Sequence, residues 1–355
     1  MKKVLLISHF PPPAGGIATW TKRVLEIGIP EWGIDHVNLN TIGGRDPFQN
    51  TKRHIKDEYI RCKNVWHKEK EFLKNDPEIQ VVHTNIPCTV FGMIRETITA
   101  KIAKHYKKKF ILHCHSTVPN VVNTKFKLLF WKILVRHCDG IITLNEKSKC
   151  FAEKYAPKCY VETIPNFVVS EDILNNEKEI TDEIKSVVFV GGVCADKGCD
   201  DIVEAAKQLP SIRFDLIGIV SKEIEDMEKP NNIVLHGCHD ISYVKEALKK
   251  ADVFLFPSKY FGEGFSVALT EAMAAGLPCV ATDWAANADM IEDKGGVVIQ
   301  KGDVEGLVNA INYLNNNVEF RKNASKWNVE KVKKSYSADI VLKQYSDFYI
   351  KITEG

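Results

Sequence analysis

The stretch that constrains this chain most is DVFLFPSKYFGEGFSVALTEAMAAGLPCVATDW, residues 252–284. Val253–Phe256 is a short apolar run of the kind that forms a buried strand. A Pro-Ser turn, a Gly-containing loop, a helical segment, a Gly-Leu-Pro turn and a second short strand follow. Together they spell a βαβ unit, which needs a parallel sheet and whose loops at the strand ends are where α/β proteins bind ligands. The loop carries Glu263, and the helix carries Glu271 eight residues later. Eight residues is a little over two helical turns and returns to within about 80° of the starting direction. Both carboxylates can therefore face one crevice, with the amides of Gly264, Phe265 and Ser266 between them at a helix N-terminus that attracts anions. Carboxylates accept hydrogen bonds from sugar hydroxyls, and bare amides receive phosphate oxygens, so the combination suits a sugar nucleotide. The plainer alternative is an acidic cap followed by a solvated helix glutamate, a commonplace arrangement.

The run PSKYFGEGFSVALTEAMAAGLPCVATD resembles the motif of the family-4 retaining glycosyltransferases with the GT-B fold, of bacterial surface-polysaccharide type. That motif reads Pro-Ser…Glu-Gly-Phe-Gly…Glu-Ala-Met-Ala-x-Gly-x-Pro-Val-Val-Ala-Thr-Asp, and its Glu-x7-Glu spacing is kept at Glu263 and Glu271. Upstream, Gly191-Gly192-Val193-Cys194-Ala195-Asp196-Lys197-Gly198 is similar to the family's Gly-Arg-Leu-x-x-x-Lys-Gly, with Gly192 where arginine is usual. Ile164-Pro165-Asn166-Phe167 is similar to its Ile-Pro-Asn-Gly, and Trp284–Asp289 replaces its Gly-Gly-x-x-Glu, leaving only the shorter Asp289. The resemblance implies an α/β, GT-B architecture: two Rossmann-like doubly wound domains facing across a cleft, with a C-terminal helix returning to the first. It implies that Glu271 holds the ribose hydroxyls and Glu263 the hydroxyls of the donor sugar. Lys197 and the Gly264–Ser266 amides would neutralise the leaving diphosphate. Gly15 and Gly16 would lie near the phosphates or the acceptor, and a histidine ending a strand would face the transferred sugar, a role that falls on His115 with His113 as the fallback.

Read without that resemblance, the residues point the same way. Val4–Ser8 is a buried strand, Pro11–Gly16 a loop and Ile17–Ile27 a helix; Gly15-Gly16 lets the backbone approach a ligand closely. Strands follow at Ile79–Thr84, Lys109–Cys114 and Gly140–Leu144, with helices over 50–75 and 87–106, an alternation that argues for a parallel sheet. His115 follows the Lys109–Cys114 strand, at the end that points into a ligand crevice. His83 reads as a supporting or core histidine. The second half restarts the pattern at Val187–Val190. There Gly191 and Gly192 open a turn for phosphates, and Lys197 supplies a point charge, where the alternative is a surface lysine in a turn. Further strands are expected at Phe214–Gly218 and Ile233–His236, helices near Ser242–Lys250, over 303–315 and over 318–333, and a closing helix at Ala338–Ile352. Gly218 and His236-Gly237 are candidates to line a base pocket. No Gly-x-Gly-x-x-Gly occurs, which argues against a dinucleotide-dependent dehydrogenase.

Size and charge refine the picture. The 355 residues suffice for two domains. The divisions expected are 1–168 for an acceptor-binding domain, a polar acidic linker at 169–185, a nucleotide-sugar domain at 186–335 and a closing helix at 336–355. No apolar run approaches the roughly 18 residues of a membrane span, and MKKVLLISHFPPP reads as a first strand rather than a signal peptide. Ten scattered cysteines with no Cys-x-x-Cys suit a reducing cytosol, and His113-Cys114-His115 lacks a second ligand cluster for zinc. The net charge of +2 hides an asymmetry: residues 1–170 hold 27 Lys/Arg against 15 Asp/Glu, or +12, and the rest 21 against 31, or −10. Basic segments lie at Lys101–Lys109 and Asn123–Arg136. In the second, Phe126, Leu129, Phe130, Ile133 and Leu134 recur at helical spacing beside Lys125, Lys127, Lys132, Arg136 and Trp131. Such a helix packs on its own sheet or lies on an anionic membrane surface. No nucleic-acid-binding module is present.

The expectation is thus a cytoplasmic or peripheral enzyme moving a hexosyl group, with retention, from a nucleotide-diphosphate sugar to a glycan or lipid-linked acceptor. Cofactor and metal are not required, since no Asp-x-Asp occurs. A GT-B sugar-nucleotide epimerase and a non-catalytic nucleotide-sugar-binding partner subunit are the alternatives.

Overall fold

A computed structural model describes residues 1–12, 15–40 and 55–355 of the chain. They form two compact units: Met1–Asn166 together with Asp339–Gly355, and Phe167–Ala338. Each is built on a six-stranded, all-parallel sheet with helices between its strands.

In the first unit the strands are β1 (Lys3–Ser8), β2 (Gly33–Asn38), β3 (Ile79–Ile86), β4 (Lys109–Cys114), β5 (Gly140–Thr143) and β6 (Tyr160–Thr163). Their order is β2-β1-β3-β4-β5-β6, so the winding reverses between β1 and β3. In the second unit they are β7 (Ser186–Val190), β8 (Arg213–Ile217), β9 (Ile233–Gly237), β10 (Val253–Phe256), β11 (Cys279–Thr282) and β12 (Gly296–Ile299), in the order β12-β11-β10-β7-β8-β9. Here the reversal falls between β7 and β10. In sheets of this kind the crevice outside the carboxyl ends of the strands flanking the reversal takes the ligand. The loops after β1 and β3, and after β7 and β10, are therefore the places to look.

Central strands are continuous apolar runs because both faces are covered; Val253, Phe254, Leu255 and Phe256 are all buried. The helix Ala338–Glu354 completes the core of the first unit. Gly140 admits it: a Cβ there would sit 2.8 Å from the Phe348 ring. Tyr349 hydroxyl and His83 Nδ1 share a hydrogen bond of 2.6 Å.

The helix Lys125–Val135 corrects one expectation. Its buried face is Trp131, Leu134 and Val135, whereas Phe126 and Leu129 point outward, 62% and 54% exposed. Trp131 is thus core, and the apolar stripe picked out by spacing is split between two faces. Residues 170–185 lie in the second unit and contribute Ile173 and Ile184 to buried surface.

Candidate functional site

The loops flanking the reversal in the second unit carry the charged candidates. After β7 the chain makes a tight turn, Ala195–Lys197, and passes through Gly198 into the helix Cys199–Gln208. Gly198 has φ +75°, and a Cβ on it would lie 2.1 Å from the Pro257 carbonyl oxygen, so only glycine lets this turn press against the loop after β10. Gly218 plays the same part toward Gly191, whose carbonyl oxygen would be 1.7 Å from an added Cβ. Around Gly15, Gly16 and Gly192, by contrast, an added Cβ meets nothing within 4 Å. Packing does not demand glycine at these three positions, and the space beside them is open.

The close approach at Gly198 brings Lys197 to Glu263. Lys197 Nζ donates to Glu263 Oε2 at 2.6 Å, and Ser258 Oγ donates to the same oxygen at 3.0 Å. The ammonium also lies 4.9 Å from the centre of the Tyr260 ring and 5.7 Å from that of Phe256. Both side chains are largely enclosed, 24% and 11% exposed, so their attraction is screened less than at an open surface. A second pair, Lys259 with Asp200 at 2.8 Å and Asp201 at 3.0 Å, ties the loop after β10 to the helix after β7. Trp284 Nε1 donates to the Tyr260 carbonyl at 2.6 Å, bracing the loop from the altered 284–289 segment. Ser258, Tyr260 and Trp284 were not named from sequence as site residues. Only the Pro-Ser pair hinted at Ser258.

The helix bearing Glu271 is Val267–Ala274, capped by Ser266, whose side chain accepts from Leu269 N at 3.1 Å. Gly264, Phe265 and Ser266 thus form the buried approach to the helix and not its first turn. The Phe265 ring packs edge-on against Tyr336 at 5.1 Å. Glu271 is the fifth residue of the helix and half-buried.

In the first unit, Gly15 and Gly16 open the helix Gly16–Ile27, with Pro13 and Ala14 of their loop outside the described residues. His115 follows β4, and its amide donates to the Ile86 carbonyl at 3.0 Å. Its ring stands 4.0 Å from His113 and 5.6 Å from Trp20, and its Nε2 is buried with no hydrogen-bond partner. Desolvation, with His83 and His9 nearby, pulls its pKa down to about 3, so the imidazole is neutral at neutral pH. His113 is fully buried and pushed well down by desolvation and its histidine neighbours. His83, at about 3 through burial, is a core residue bonded to Tyr349. Among the described residues no group of three or more His, Cys, Asp or Glu is placed to hold a metal ion. No helix there is long and apolar enough to cross a membrane.

Comparison with known proteins agrees with this geometry. Residues 170–330 match the family Glycosyl transferases group 1. The processive diacylglycerol alpha-glucosyltransferase of Acholeplasma laidlawii is 25% identical over 236 residues, 58% of this chain and 70% of that protein. The first three curated relatives are matched over 56%, 70% and 89% of their own lengths. Two solved structures share the fold across nearly the whole chain. Sucrose-phosphate synthase from Thermosynechococcus elongatus has a TM-score of 0.81 at 16% identity, covering 99% of each chain. Anabaena HepE in complex with UDP has a TM-score of 0.73 at 13% identity, covering 99% of this chain and 100% of that one. Over residues 170–330 the chain is similar to glycosyl transferases group 1, and it is a nucleotide-sugar-dependent glycosyltransferase built on the GT-B fold.

Proposed function

We propose that the chain moves a hexosyl group, with retention, from a nucleotide-diphosphate sugar to a hydroxyl of a glycan or lipid-linked acceptor in cell-surface polysaccharide synthesis. The observation that carries this reading is the Lys197–Glu263 contact of 2.6 Å at the strand-order reversal of the second unit. An ammonium and a carboxylate held together there serve the two ends of a donor: the ammonium meets the diphosphate, and the carboxylate meets the sugar hydroxyls. Glu271 takes the ribose hydroxyls. Breaking the sugar–phosphate bond puts negative charge on the leaving diphosphate, so Lys197 and the Gly264–Ser266 amides supply the largest stabilisation. The leaving group is already a weak base and needs no general acid of the glycosidase type. His115, neutral and enclosed, offers a hydrogen bond to a sugar hydroxyl without adding charge.

The name of the Acholeplasma laidlawii relative supports a lipid acceptor, and the HepE complex supports a uridine nucleotide. The outward face of the Lys125–Val135 helix supports work at an anionic membrane: exposed Phe126 and Leu129 lie among exposed Lys125, Lys132 and Arg136. Flotation with anionic vesicles, but not with neutral ones, is the expected behaviour. Binding to neither removes the membrane from the reading.

The decisive experiment is a screen of sugar nucleotides by release of nucleoside diphosphate, with and without glycan and lipid-linked acceptors. Acceptor-dependent release with the anomeric configuration kept supports transfer. Nucleotide binding without release across the panel favours a non-catalytic partner subunit, a reading that the open space at Gly192 keeps in view. A new sugar nucleotide formed without acceptor favours an epimerase.

A further inference from the structure

We infer that a pocket in the first unit, between the helices Ile55–Asn75 and Val90–His105, takes the hydrocarbon chain of a lipid-linked acceptor. The inference rests on the acceptor reading above and names the chemistry of that acceptor. The pocket encloses about 250 Å³, and its lining includes His9, just after β1, and Pro87, just after β3. These are the strands between which the winding of the sheet reverses, the place where a doubly wound sheet receives its ligand.

The walls favour hydrocarbon. Trp66, Tyr59, Phe91 and Ile94 line the cavity, and Tyr59, Phe91 and Ile94 are 64%, 61% and 38% exposed. Large apolar side chains gathered around one open cavity gain by covering it, in proportion to the area removed from water. The charged groups beside them are matched. Arg61 pairs with Glu58, and Arg95 with Glu96. Burial and the neighbouring Glu96 push the Glu69 carboxyl up to about 9, which keeps it protonated. The two guanidinium groups of the lining are thus each engaged by a carboxylate, Glu58 within the lining and Glu96 outside it. One donor remains: Trp66 Nε1 is buried with no hydrogen-bond partner, suited to an oxygen at the head of the chain. The occupant is therefore recognised by an apolar chain ending in an oxygen-bearing group. The helix Val90–His105 also carries exposed Lys101 and Lys104 further along its length. It packs beside the Lys125–Val135 helix, on which Phe126 and Leu129 are exposed.

Prenyl and acyl chains share this chemistry, and the test separates them. Cys62 lines the pocket and is half-buried, whereas Cys150 and Cys238 are exposed elsewhere and serve as internal references. The full chain is alkylated with maleimide, and each cysteine is followed by peptide mass spectrometry. The additions are farnesyl phosphate, lauroyl lysophosphatidic acid (each below its micelle concentration) or inorganic phosphate. The expected result is slowing of Cys62 by about fivefold or more with an amphiphile at several times its Kd. Cys150 and Cys238 should be unaffected, and Phe91→Glu should abolish the protection. Protection by only one amphiphile identifies the chain as prenyl or acyl. Unchanged Cys62 labelling with both, protection by inorganic phosphate, or protection that survives Phe91→Glu in a folded variant overturns the inference. Labelling needs no turnover, so its outcome is independent of whether any donor is cleaved.

Discussion

The two units share one architecture and furnish it oppositely. Both wind six parallel strands and reverse their order once, the first unit after its second strand and the second unit after its third. At the reversal in the second unit the loops hold a lysine and a carboxylate in direct contact, with a second lysine clamped by two aspartates. At the reversal in the first unit rings predominate: Trp66 and Phe91 line a cavity whose two arginines are paired with carboxylates, and Trp20 clusters with His113 and His115. Charge is placed where a diphosphate would need it. On the reading proposed above, the uncharged His115 serves the transferred sugar. The same backbone serves both because the loops and not the sheet carry the chemistry.

The sharpest way to break this contrast is to remove charge from the second unit. Lys197→Ala and Glu271→Ala are each expected to lower transfer by about 100-fold or more, the scale of losing one charge-stabilising contact. Steady-state assays with the donor found by the screen measure it, and wild-type turnover in both folded variants would remove the charged site from the mechanism. A smaller loss is expected in the first unit, where an uncharged hydrogen bond is at stake. His115→Asn should lower kcat by roughly tenfold, about 1.4 kcal/mol, while leaving nucleotide affinity unchanged. A matching fall in nucleotide affinity would mean that His115 does not act on the transferred sugar alone.

The remaining effect is on stability and has a definite sign. The Glu69 carboxyl titrates near 9 in the fold against an ordinary 4.5. Its contribution is intact below about 4.5, declines by at most ~1.4 kcal/mol per pH unit as pH rises, and levels off above about 9. Glu69→Gln should therefore stabilise the chain by ~1–3 kcal/mol at pH 8 and by nothing near pH 4, as read by denaturant unfolding. His83 works in the other direction. Its folded pKa of about 3 means that its contribution is present above about 6.5 and lost as the solution is acidified. An unchanged pH profile in the Glu69→Gln variant would show that this carboxyl is hydrated.

What the sequence disclosed follows from coverage. β4 and β10 were legible to the residue because strands buried on both faces are unbroken apolar runs. The strands that escaped notice, β2, β6 and β12, all lie at sheet edges. There one flank is open, and sequences such as GIDHVN and YVET carry polar residues that disguise them. Lys197 and Glu263 could be paired from their glycine-rich loops, since close backbone approach needs Gly198. Ser258, Tyr260 and Trp284 could not, because their contribution depends on a loop path that no spacing reveals. The pocket of Trp66 and Phe91 was hidden for a related reason: each helix supplies half of it. The Lys125–Val135 helix was misread at Trp131 because charge on one side of a helix says nothing about which aromatic residue turns inward.

The helix Ala338–Glu354 has a consequence for how the chain is made. Tyr345, Phe348 and Tyr349 fill a hollow bounded by Trp20, His83 and Gly140, residues synthesised more than 200 positions earlier. The ribosome must produce all of Phe167–Ala338 before that plug exists. Until then the earlier sheet waits with an unfilled core, while the later one can close around its own. The half that begins first is the half that finishes last.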